Sequence, residues 1–285
     1  MNWPIHFLNG ISYGMLLFLF ASGFTLTFGL ARVLNVAHGS FYLLAGYLGL
    51  TVATFTGNFL LAVVTASIGV ALAGLLLERS LLNRFYDRPL GAILLTIGVA
   101  FIVADGTLWI WGGSPTAIPP PETFKGALRF GEFAYPRYRF LVMGVGVIAA
   151  ILLWLLQEKT KTGAIVRAGV DDAEMVRGMG INLPRVFSAV FALGTLLAGM
   201  AGVVGGGFAG VYPGADFEVL LLAVAVVIIG GLGSLKGALC GSIIIGLTHT
   251  FGQVFFPSLA LFTIFAPTAI ILVYRPWGLF GRVTD

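Results

Sequence analysis

The chain has 285 residues, of which 58% are apolar and only 10% charged, and its mean hydropathy is +1.00. A soluble globular domain carries about 25% charged residues, so that class is excluded, and at roughly 20 residues per span the length holds about eight to ten membrane-crossing helices and little else. The net charge of +4 would suggest an anionic partner in a soluble protein, but here it mostly reports loop bases that set membrane topology, and nucleic-acid binding is not indicated.

Nine apolar stretches follow one another, at about 7–30, 38–56, 58–77, 90–111, 139–156, 187–210, 218–233, 237–255 and 258–274. The opening MNWPIH has no Lys or Arg before the first of them, so that stretch reads as a retained span and not as a cleavable signal peptide. Threading the stretches alternately puts Arg32, Arg79, Arg84, Arg88, the five bases of 157–185, Lys236, Arg275 and Arg282 on one side. That side holds 12 of the 16 Lys and Arg residues, so it is expected to be cytoplasmic, with the N-terminus outside and the C-terminus inside. Trp109, Trp111, Tyr135 and Tyr138 then mark the outer interface, and Trp154, Tyr274 and Trp277 the inner one.

The first connection is unusual. From Phe24 to Leu50 the chain is apolar apart from Arg32, Asn35, His38, Gly39 and Ser40, a cluster costly in lipid. Irregular backbone at membrane depth is tolerated where it is buried in protein or lines a water-filled cavity, which makes this cluster a candidate stretch of a transport path. A cytoplasmic hairpin turn with a satisfied His is the plainer reading. Asp105, the one acid inside an expected span, is a functional candidate by position, or a hydrated group near the outer interface. The outer loop 112–138 has prolines and alternating apolar residues that suggest a small ordered cap, such as a hairpin.

The longest polar island, Gln157 to Arg185, carries nine of the 28 formal charges. From Ile165 it has a narrow apolar stripe (Ala164, Ile165, Ala168, Ala173, Met175, Val176, Met179), acids at Asp171, Asp172 and Glu174, a base at Arg177, and Gly178 and Gly180 as a stop. That pattern fits a short amphipathic helix on the cytoplasmic surface, or else a solvated loop. Further on, Gly231, Leu232, Gly233 and Ser234 divide the long apolar run 218–255 into two shorter helices. Paired Gly-interrupted segments point to a pathway, while Gly233, Gly237 and Gly241 equally form small-residue steps for close helix packing.

Absences narrow the chemistry. No Gly-Lys dipeptide occurs, so there is no Walker A phosphate loop. His6, His38 and His249 are far apart, no acid or cysteine cluster has metal-ligand spacing, and no cofactor is expected. Cys240 is the single cysteine and reads as a packed thiol.

Taken together, LNVAHGS, LLER, TIG, RAGVDDAEMVRGMGIN, GGLGSLKGALCG and RPWGLFG resemble the permeases of binding-protein-dependent ABC importers, and within them the smaller permease of branched-chain amino-acid systems. The resemblance runs from about Asn9 to Gly281. It implies an all-α polytopic membrane protein of about eight to nine transmembrane helices with two Gly-interrupted segments, forming a single domain over 1–285 in the inner or plasma membrane. The island 157–185 would be a coupling loop, with Arg167, Asp171, Asp172, Ala173, Glu174, Arg177, Gly180 and Ile181 in contact with an ATPase. Asn35, His38, Gly39, Ser40, Gly231, Gly233 and Ser234 would border the translocation path. The implied partners are membrane lipid, a second homologous permease subunit, two ATP-hydrolysing subunits and an external substrate-binding protein, the chain itself being no enzyme. Related permeases carry urea, amides or aromatic acids, and the spans do not choose among these cargoes. A stand-alone channel or secondary transporter would need more intramembrane charge than Asp105 supplies.

Overall fold

The computed structural model describes residues 3–31, 33–86, 88–130 and 133–281. Arg32 and Arg282, two of the bases used to orient the chain, lie outside them. The described chain is helical almost throughout, with α1 (Trp3–Ala31), α2 (Ala37–Thr56), α3 (Phe59–Ser80), α4 (Pro89–Trp111), α5 (Arg137–Lys159), α6 (Lys161–Asp171), α7 (Ala173–Gly178), α8 (Leu183–Phe208), α9 (Ala215–Gly230), α10 (Leu235–Phe255) and α11 (Ala260–Tyr274). Seven of these are long and apolar enough to cross a membrane: α1 to α5, α8 and α10. Helices α9 and α11 are shorter, at 16 and 15 residues. The fold is an all-α, multi-pass membrane protein.

Local sequence explains where helices stop. Gly57 adopts a left-handed conformation (φ 65°) at the end of α2, and the side chain of the next residue, Asn58, accepts from the backbone N–H of Leu61 at 3.0 Å. A left-handed C-cap followed at once by an Asn N-cap reverses the chain in two residues. Pro89 opens α4 at a position where its missing N–H costs nothing.

The core is built on α1, α2 and α8, whose largest fully buried side chains include Leu17, Phe18, Phe20, Phe24, Leu43, Tyr47 and Phe191. Small residues bring the backbones together. Gly23 faces Gly194, Gly14 faces Ser242, and Gly199 faces Ser67 so closely that a β-carbon would stand 2.8 Å from the Ser67 Cα. Lipid tails are as apolar as the side chains, so close dispersion contact of this kind, and not hydrophobic exclusion from water, is what holds such helices together. Leu72, Leu94, Ile102, Ile148 and Ile151 remain exposed on α3, α4 and α5, as a lipid-facing surface requires.

At one end of the bundle, β1 (Ala127–Phe130) and β2 (Phe133–Pro136) form the expected small hairpin, with Leu128 opposite Tyr135. The same loop is pinned to the far end of α8, where Thr116 bridges Val211 and the Ile118 N–H donates to Gly206 O at 3.1 Å. The opposite end carries α6, α7 and the C-terminal segment. There the backbone N–H groups of Leu279 and Phe280 donate to Ile229 O (2.8 Å) and Gly230 O (3.0 Å). They satisfy carbonyls that the end of α9 would leave orphaned, an obligation at membrane depth.

Candidate functional site

Two groups of residues stand out, one at an end of the bundle and one inside it. The first is the polar island, which folds as two helices and not as the one short helix its periodicity suggested. Thr160 caps α6 by accepting from Gly163 N at 3.0 Å. Helix α6 closes at Asp171, because Asp172 takes an extended conformation and its carboxylate accepts from Glu174 N (3.0 Å) and Met175 N (2.9 Å), starting α7. An Asp side chain that competes for backbone N–H groups favours a cap over a helix interior, so the acidic pair in VDDAE breaks the helix it sits in.

The two faces of this hairpin differ. Gly163, Val166, Gly169 and Val176 are buried, and Gly169 packs on Leu30 of α1 and Leu183 of α8, where a β-carbon would meet their methyl carbons at 3.0 and 3.1 Å. Asp171, Asp172, Glu174, Arg177 and Gly180 are exposed, Arg167, Ala173 and Ile181 partly so. Met175 and Met179 are 66% and 61% exposed beside the acids. Gly180 turns the chain with φ 78°, and Asn182 caps α8 by accepting from Arg185 N. Glu158, at the end of α5, holds Arg167 at 3.7 Å and Lys236, in the first turn of α10, at 4.0 Å, a half-exposed link of small energetic weight.

The second group lies where two connections enter the bundle from opposite ends. The first connection is no surface turn. His38 is fully buried, and its Nε2 lies 3.3 Å from the carbonyl of Phe20. Phe20 is 11 residues before the end of α1, about 16 Å along that helix, so α2 starts near the middle of α1. Val36 N–H donates to Thr96 Oγ1 of α4 at 3.2 Å, and the His38 ring packs between Phe20 and Phe24, with centroids 4.7 and 5.5 Å away. Asn35 and Ser40 are buried, and among the described residues their side-chain polar atoms, like His38 Nδ1, have no hydrogen-bond partner.

From the hairpin end, residues 209–214 lead down to α9. Gly39 touches the first turn of that helix: a β-carbon on it would collide with the carbonyl oxygen of Asp216 and stand 3.3 Å from Leu220 Cβ. The N-terminal ends of α2 and α9 therefore abut inside the protein. Asp216, to which the sequence reading gave no role, is 2% exposed there, with its carboxylate beside the backbone N–H groups of residues 216 and 217 and, among the described residues, no side-chain hydrogen bond. Its only sequence signal was an acid two residues before the stretch that began at Glu218. Asn35, His38, Ser40 and Asp216 bring several buried polar groups together, which makes this region a candidate functional interior.

Gly231, Gly233 and Ser234 are not part of that group. They lie between α9 and α10 at the α6 end, with Gly231 at φ 93° and Gly233 at φ 76°. Ser234 caps α10 by accepting from Gly237 N at 3.0 Å. Gly233 sits against Gly29 of α1 and 3.6 Å, from a would-be β-carbon, from Val170 of α6. The break is thus in touch with the polar hairpin, not with His38. Asp105 is exposed on α4 within two turns of its end and belongs to neither group. Among the described residues no three His, Cys, Asp or Glu side chains come together as a metal site.

A family model described as branched-chain amino acid transport system, permease component, matches residues 6–274. The chain is 26% identical to the high-affinity branched-chain amino acid transport system permease protein BraD of Pseudomonas aeruginosa, over 96% of its own length and 94% of that protein. The Escherichia coli permease protein LivH gives the same identity and the same shares of both chains. A probable branched-chain amino acid transport permease protein LivH of Methanocaldococcus jannaschii is 28% identical over 85% of this chain and 78% of that one.

Proposed function

The chain belongs to the family of branched-chain amino acid transport system permease components, and on that premise we propose that it forms half of the membrane path of an ABC importer for branched-chain amino acids. A second related permease completes the path, two ATP-hydrolysing subunits bind at the α6–α7 end, and an external binding protein delivers cargo at the hairpin end. The α6–α7 end is cytoplasmic, with the N-terminus outside and the C-terminus inside.

The observation that carries this reading is the two-sided hairpin α6–α7. One side is buried on Leu30 and Leu183 and reaches Gly233 through Val170, while the other presents acids, Arg177 and two methionines. A methionine-bearing exposed face suits a protein groove, and the buried side offers a mechanical route. Closure of the ATPases pushes α6 and α7, and the push passes to the inner end of α1, the start of α8 and the 231–234 break. Tilting α1 and α8 relative to α2 and α9 opens or closes the seam around His38, Gly39 and Asp216. Affinity for cargo stays with the binding protein, since a tight site in the path would slow release.

Ala173→Arg tests the assignment by placing bulk and charge at the tip of the hairpin. In proteoliposomes with the full importer, cargo-stimulated ATP hydrolysis is expected to disappear while the variant still reaches the membrane in normal amount. Coupling at the parent level would remove α6–α7 as the docking element.

A further inference from the structure

Helices α3 and α5 both flank α8 and leave a gap between them at the hairpin end of the bundle, a groove of about 600 Å³. Leu60 and Val63 of α3 and Leu141 and Val145 of α5 form its sides, and Met200 and Val204 of α8 its floor. Each wall is little more than one helical turn high, about 6 Å. Its polar lining comes from Asn58 in the turn before α3 and from Glu122 in the hairpin loop. Asn58 spends its Oδ1 on capping α3, which leaves the two N–H groups of its amide to donate. Glu122 pairs with Lys125 Nζ at 2.5 Å, and the two side chains are 87% and 49% exposed, so the pair opens at small cost. Trp111, whose indole N–H donates to Thr51 Oγ1 at 2.8 Å, marks the membrane interface at the same end.

We infer that this groove seats one phospholipid of the surrounding leaflet, with a zwitterionic headgroup of the phosphatidylethanolamine kind. The inference needs only that the chain spans a membrane, and it stands whatever the cargo. An apolar notch open to lipid does not stay empty, because its lining would lose dispersion contacts on one side. A partner's membrane helix does not match it, since a spanning segment needs a seat some 30 Å long, about five times the height of these walls. An acid and a base side by side above an apolar notch, at the depth where headgroup gives way to chain, complement a lipid whose own two charges are adjacent. The phosphate takes Lys125, the ammonium donates to Glu122, and the Asn58 amide donates to an ester oxygen. The upper part of one acyl chain lies on Val63, Val145 and Met200, bracing α3 and α5 against α8. An anionic lipid would set its phosphate near Glu122 with no ammonium to answer the carboxylate.

The test uses the full chain, with the subunits that co-purify with it, in nanodiscs of phosphatidylcholine, whose quaternary ammonium has no N–H to donate. The probe is a minor amount of phosphatidylethanolamine bearing a diazirine near the top of one acyl chain. Photolysis is expected to label residues 58–63 and 141–145 well above the remaining lipid-facing surface of α3, α4 and α5. Unlabelled phosphatidylethanolamine should compete for that label about fivefold better than phosphatidylglycerol, the scale of a half-exposed ion pair. Glu122→Lys, in an exposed loop, should abolish this preference without disturbing the fold. Leu60→Trp and Val145→Trp should each fill the notch and remove the label; Leu60 is 71% exposed, so the first of these has room to fold. Label spread evenly over α3, α4 and α5 would reduce the groove to ordinary lipid contact and overturn the proposal. So would equal competition by the two lipids, or a groove left unlabelled because a co-purifying subunit covers it.

Discussion

Glu78 is 1% exposed near the C-terminal end of α3, and both its oxygens are bonded, Oε1 to the Tyr86 hydroxyl at 2.9 Å and Oε2 to the Ser188 hydroxyl at 2.6 Å. A carboxylate can be buried there because each oxygen has a donor. The trio ties α3 and the following turn to the first turns of α8, the helix that follows the α6–α7 hairpin. Burial first, then the adjacent Glu78 carboxylate, holds the Tyr86 phenol well above its ordinary 10. The folded chain therefore keeps a proton that the unfolded chain releases near pH 10, so this contribution is complete below about pH 10 and is lost as pH rises further. Tyr86→Phe is expected to lower the melting temperature of the detergent-solubilised chain by about 2–4 °C at neutral pH, for roughly 1 kcal/mol lost. Its melting curve should fall less steeply than the parent's between pH 10 and 11.5. Parallel curves would show that Tyr86 does not titrate with folding. LLER stood out in the sequence only by resemblance, since the donors that make Glu78 tolerable lie in other elements.

At the scale of elements, the two breaks differ in kind. At Gly39 the constraint is contact: any side chain would strike the backbone of α9 at Asp216. At Gly233 it is chiefly conformation, since φ 76° costs a residue with a β-carbon about 1–2 kcal/mol, while that β-carbon would already touch Gly29 Cα at 3.3 Å and Val170 at 3.6 Å. Gly39→Ala should therefore part α2 from α9, and Gly233→Leu should bend the break against α6. Both are expected to reduce cargo uptake much more than basal ATP hydrolysis at equal membrane abundance. Full uptake by both variants would make these segments packing elements and remove the path from the seam. The apolar pattern made the interruptions visible and the prolines of 112–138 suggested a cap. It did not reveal that residues 231–234 meet the α6–α7 hairpin while residues 35–40 meet α9, because such a pairing joins segments distant in the chain.

For the whole molecule, orientation is the property on which every assignment to a partner depends. With Cys240→Ser as background, Glu122→Cys in the hairpin loop is expected to react with an impermeant maleimide added to intact cells. Lys161→Cys at the start of α6 should react only after the membrane is opened. Labelling of position 161 from outside would invert the topology, moving the ATPase contact to the hairpin end. The basic residues that argue for this orientation act before tertiary structure exists, during insertion, which is why the bias is readable from loop composition alone.

The sequence by itself determined the class, the order of the apolar stretches, their turns and the places where helical bonding is interrupted. These follow from local quantities: transfer of each stretch into lipid, the backbone needs of Gly and Pro, and the capping habits of Asn, Asp and Ser. Even there Asp172 was misjudged, since one capping carboxylate outweighed the periodicity of the residues around it. Only the tertiary structure decided that α2 begins beside the middle of α1, that its first turn abuts that of α9, and that Asp216 enters the interior while Glu218, two residues on, stays exposed. Those outcomes depend on which backbones come close enough for a glycine to be required, and that proximity is set by packing across the whole bundle.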